Sequence, residues 1–105
     1  QKEVTDMTMH VAEAIERFRS ILKAKTGRTW SVARYQYGMP QPAVVLHVPP
    51  RYRDEDGNMP VEARRQLAGL LGCRTQDIGR TGHVIVPDDF ELALGTMDAN
   101  RAQVA

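Results

Sequence analysis

Cysteine is nearly absent from this chain. Cys73 stands alone, which excludes an internal disulfide and any zinc site built from clustered thiolates. Long apolar runs are missing too: nothing approaches the ~20 consecutive apolar residues of a membrane-spanning helix, and no stretch reads as a secretory leader. The expectation is a cytoplasmic protein with no membrane partner. The chemistry of common catalytic sites is equally thin. There is no Ser–His–acid order, no paired carboxylates and no phosphate-cradling turn between a strand and a helix. Cys73 follows a predicted helix instead of preceding one, so no helix N-terminus activates its thiol. The chain therefore reads as non-enzymatic and free of cofactors.

The most telling shortage is of acid in one region. From Arg17 to Arg53 there are eight cations and no Asp or Glu, a local +8 in a chain whose net charge is +1. The first 16 residues carry −3, Asp54, Glu55, Asp56 and Glu62 give −4, residues 64–80 give +3 and the end gives −3. Eleven of the fourteen cations are Arg, whose forked guanidinium suits phosphate and carboxylate better than an ammonium does. A hydrophobic content of 42% against 26% charged is ordinary for a soluble globular domain.

The acid-free region contains a predicted β-hairpin. Thr29 to Tyr37 and Ala43 to Val48 alternate in the manner of half-buried strands, with Gly38-Met39-Pro40-Gln41-Pro42 as the loop between them. This loop pairs Tyr37 with Ala43, Tyr35 with Val45 and Ala33 with His47. Trp30, Val32, Val44, Leu46 and Val48 then share a core side with Arg34. Ala33, Tyr35, Tyr37, Val45 and His47 share an open side.

Flanking the hairpin, Val11, Ala14, Ile15, Phe18, Ile21 and Leu22 predict a helix from about Thr8 to Lys25, with Thr8 as cap and Gly27 as left-handed stop. A second helix opens at Met59-Pro60-Val61-Glu62 and ends at Gly72. His83 to Val86 reads as a third strand stopped by Pro87, and Phe90 to Leu94 as a short terminal helix. Residues 1–6 read as a polar leader, 7–95 as a single α+β domain and 96–105 as a flexible tail. The expected fold is a two-layer α+β arrangement, α-β-β-α-β, with two helices packed on one face of a three-stranded sheet. The second helix is expected to serve as a right-handed crossover between strands two and three.

TGRTWSV, the prolines at 49–50, ARRQLAGLLG and HVIVP together resemble a family of small uncharacterised bacterial proteins, over roughly residues 15–98. That pattern runs TGRxWSV, a strand ending in two prolines, a helix ending LAxLLG, then a strand ending in proline. Its members occur in accessory and plasmid-borne contexts. This chain departs from it at Met39-Pro40-Gln41-Pro42, where the pattern has a glycine-rich turn and an aromatic. The resemblance implies the fold outline and no catalytic residues.

Two functional readings follow. In the first, Arg28, Arg34, Arg51 and Arg53 frame the hairpin and grip phosphates, while Tyr35, Tyr37 and His47 offer stacking surfaces. The partner is then nucleic acid. In the second, the hairpin docks an acidic protein surface, or a second copy to give a homodimer, through its exposed edge. Weaker motifs carry blander readings. Gly79-Arg80-Thr81-Gly82 imitates the backbone clamp of KH domains, but it precedes a strand where that clamp precedes a helix, so a plain turn is expected. His10, His47 and His83 lack metal-ligand spacing, and Asp54-Glu55-Asp56-Gly57-Asn58 lacks that of a calcium loop.

Overall fold

A computed structural model describes residues 10–35, 41–87 and 89–100. Thr8, the leader and Tyr37 lie outside those residues. The first helix, α1, spans Val11–Thr26 and buries Val11, Ala14, Phe18, Leu22 and Thr26. It ends as the sequence indicates: Gly27 takes φ 71° and its N–H bonds the Lys23 carbonyl at 2.8 Å, a conformation that costs a residue with a Cβ.

The turn into the sheet is a buried hydrogen-bonded joint. The Thr26 hydroxyl donates to the Leu22 carbonyl at 2.7 Å and accepts from the Trp30 indole N–H at 3.0 Å and the Arg28 backbone N–H at 3.2 Å. Trp30 is 1% exposed, so its N–H has no water to turn to, and Thr26 supplies the acceptor that burial demands. The TGRTW run is thus a structural corner.

Strands β1 (Ser31–Tyr35), β2 (Ala43–His47) and β3 (His83–Pro87) form one sheet in that order. The hairpin register differs from expectation: Tyr35 faces Ala43, Ala33 faces Val45 and Ser31 faces His47. The pairing is therefore displaced by two residues from the expected one. Because side chains alternate with a period of two, a two-residue shift keeps every side chain on its expected face. Trp30, Val32, Val44, Leu46 and Val48 are all buried.

Strand β3 corrects a second expectation. It pairs antiparallel with β2, so helix α2 (Val61–Leu71) is no crossover. The handedness rule governs parallel pairs. Here the chain leaves β2 and re-enters β3 at the same end of the sheet, tied across by Val48 N–H to the Gly82 carbonyl at 2.8 Å and Met59 N–H to the Arg80 carbonyl at 2.9 Å.

The last helix, α3, runs Phe90–Ala99, past the expected end at Leu94 and into the expected tail. Met97 is 1% exposed. Asn100 Nδ2 donates to the Gly69 and Leu70 carbonyls, both at 3.0 Å, and Lys25 Nζ donates to the Asp98 and Asn100 carbonyls at 2.9 and 2.7 Å. A cation from the last turn of α1 thus caps another helix. Phe18 and Phe90 meet edge to face, with centroids 6.3 Å apart. The described α-helices therefore number three, and α1, α2 and α3 all feed one core against one face of the sheet. No helix among the described residues is long and apolar enough to cross a membrane.

Candidate nucleic-acid interface

The register fixes which side chains stand together on the face turned from the helices. Three cross-strand rows form it: Ser31, His47 and His83; Ala33, Val45 and Ile85; Tyr35, Ala43 and Pro87. His47 and His83 are exposed and directly opposite each other. The middle of the face is tighter than the sequence implied. Ala43 is 1% and Val45 9% exposed, and Tyr35 is half-buried and already engaged in an interaction. Tyr35 stands about 13 Å along the strand from the His47 row, at ~3.3 Å per residue. The face is a short platform with histidines at one end, not a continuous aromatic surface.

The arginines sort by the ends of this sheet. The start of β1, the end of β2 and the start of β3 coincide in the row Ser31, His47 and His83. Arg28 precedes β1, while Arg51 and Arg53 follow β2, so these three expected arginines share that end with His47. Arg34 does not join them. It lies near the opposite end of β1, on the helix side with Val44 and Val86. Arg17 and Arg19 turn to their own helix, pairing with Glu13 at 3.0 Å and Glu16 at 3.7 Å. Arg19 Nη2 also reaches the Val32 carbonyl at 3.5 Å.

One residue of the basic end escaped sequence reasoning. Arg80, exposed between two glycines, belongs with Arg28, Arg51 and Arg53 because β3 is antiparallel. A parallel β3 would have carried it to the other end. The loop that holds it is a tight turn: Gly82 N–H bonds the Gly79 carbonyl at 2.8 Å, Gly79 N–H bonds the His83 carbonyl at 2.8 Å, and Gly82 takes φ 87°. It feeds a strand, as expected of a plain turn. The His83 ring lies across it, with Nδ1 3.4 Å from the Thr81 hydroxyl. A Cβ at Gly79 would stand 2.5 Å from ring atom Cε1, so glycine is what admits the imidazole there.

Charge at this end is mixed. The Arg28 and Arg80 side chains are exposed and without partners among the described residues. Arg51 is engaged, and Arg53 is half-buried with its Nε buried and unbonded. The acidic loop follows directly, but Asp54 is turned inward on its own backbone, accepting from the Asp56 and Asn58 N–H groups at 2.9 and 3.0 Å. Among the described residues, no ion pair links this loop to Arg28, Arg53 or Arg80.

No group of three or more His, Cys, Asp or Glu among the described residues converges to hold a metal ion. Burial, then the Asp77 charge, pushes the Cys73 thiol up to about 11, the reverse of what a nucleophile needs. No protein-family model, curated protein or solved structure matches this chain.

Proposed function

We propose that this chain is a small non-enzymatic domain that binds nucleic acid, gripping phosphates with Arg28, Arg51, Arg53 and Arg80 at one end of the sheet. The observation that carries the reading is the convergence itself. Arginines from three separate stretches are brought to one end by the antiparallel register. Guanidinium groups so placed satisfy a phosphate backbone with forked, charge-assisted bonds. His47 and His83, paired in the adjoining row, offer the flat polar surface against which a base can rest. Recognition of this kind is tolerant of sequence, because phosphate contacts carry none of it.

Docking of an acidic protein along the hairpin edge has less support. Arg19 reaches the outward Val32 carbonyl of β1, and a side chain laid on an edge discourages strand addition there.

The test is fluorescence anisotropy with labelled single- and double-stranded oligonucleotides across a salt series. Arg28→Glu combined with Arg80→Glu is expected to weaken binding at least about tenfold and lower the salt slope by about 2. Arg34→Glu, an equal charge change at the other end, should leave both nearly unaltered. Absence of wild-type binding at low salt, or equal loss in the Arg34 variant, would refute the proposal.

A further inference from the structure

A cleft lies on the other edge of the sheet, away from β1. It has a volume of about 570 Å³ between β3, the end of α2 and the face of α3, with Leu71, Val86 and Met97 in its walls and Leu92 at its rim. Although the chain holds fourteen Lys and Arg, none lines it; its charged residues are Asp77 and Asp89, with His83 at one end.

The backbone of β3 makes this cleft more than an apolar depression. Val48 N–H bonds the Gly82 carbonyl, and antiparallel ladders alternate. Val84 and Val86 therefore exchange bonds with β2, while His83, Ile85 and Pro87 turn their peptide groups outward. The His83 carbonyl is taken by Gly79 N–H at 2.8 Å, and Pro87 has no donor. Ile85 is left as the residue with both N–H and C=O facing the cleft and no partner among the described residues. Val84 and Val86 point toward the helices, and the cleft continues that layer beyond the strand. A fourth strand would send alternate side chains into it.

We infer that the β3 edge takes a short extended peptide that exchanges two backbone hydrogen bonds with Ile85, places apolar side chains at alternate positions into the cleft, and sets a Lys or Arg beside Asp89. This is strand addition against an edge with a helix as the far wall. Charge decides the partner. Asp77 is already held by Arg74, at 3.1 Å between Oδ1 and Nη2. Asp89 uses Oδ1 to cap α3, accepting from Leu92 N–H at 3.3 Å, and keeps Oδ2 for a cation. The contact is confined to about one residue of edge, so exchange is fast.

The test is titration of the full ¹⁵N-labelled chain with acetyl-Val-Thr-Val-Thr-Lys-amide in both residue orders, read by amide shifts and hydrogen exchange. The expected result is a shift and slowed exchange at Ile85. N-methylation of the threonine between the two valines, the residue whose N–H and C=O face Ile85 when both valines enter the cleft, should weaken binding about tenfold. Asp89→Asn, which keeps the cap but removes the charge, should weaken it about threefold. Three results overturn the proposal: no saturable shift with either order, equal binding of the N-methylated peptide, or shifts confined to the Arg28 and Arg80 end. Protection of Ile85 that rises with protein concentration alone would also overturn it, making a second copy the occupant.

Discussion

Two joints hold this chain together, and they are made in opposite ways. At the α1–β1 corner, Thr26 serves Leu22, Arg28 and Trp30, partners no more than four residues away, and the joint is sealed from water. At the end of α3, where it meets α1 and α2, Lys25 and Asn100 reach carbonyls 30 to 75 residues distant, partly in solvent. A buried acceptor that is lost leaves an orphan donor, whereas an exposed one is replaced by water. The first joint is therefore a condition of folding. The second fastens a helix that the core has already gathered through Phe90, Leu94 and Met97.

The comparison is broken most directly at Trp30. Trp30→Ala should cost about 3–5 kcal/mol in denaturant unfolding and displace Arg28, the residue next to the corner's hinge. Thr26→Val keeps the shape but strands the indole N–H; the expected loss is about 1–3 kcal/mol, with Thr26→Ser recovering most of it. At the other joint, Asn100→Ala should cost only about 1 kcal/mol. Its signature is local: faster amide exchange in the last turn of α3 with the global transition little moved. Equal global losses at the two joints would mean that the contrast between them is false.

The smallest effect is alkaline. Burial raises the Cys73 thiol from 9.0 to about 11. Between those values the native state keeps a proton that the unfolded chain has released, so stability falls as pH rises through the window. Cys73→Ala should flatten that slope in thermal melts, leaving the neutral-pH slope as it was.

The residues proposed to bind divide along the same line as the joints. Arg28, Arg51 and Arg53 could be singled out from the chain because an acid-free stretch is a local property. Arg80 could not, since its membership depends on the direction of a strand set by contacts between residues 48 and 82. Arg34 was placed on its proper face by alternation, yet its distance from the other arginines is a matter of which end of β1 it occupies. The hairpin register was misjudged by two residues, and the faces survived because two is the repeat of a strand.

Short-range physics was settled by the order of residues alone: the apolar stripe of α1, the glycine that ends it, and the two faces of the hairpin. These depend on neighbours within a helical turn or on a period of two, so composition and spacing determine them. The direction of β3, the anchoring of Asn100, the gathering of Arg80 beside Arg28 and the cleft at Ile85 were decided only by the folded chain. Each requires groups far apart in sequence to meet, and that meeting is dictated by how the helices and strands bury one common core.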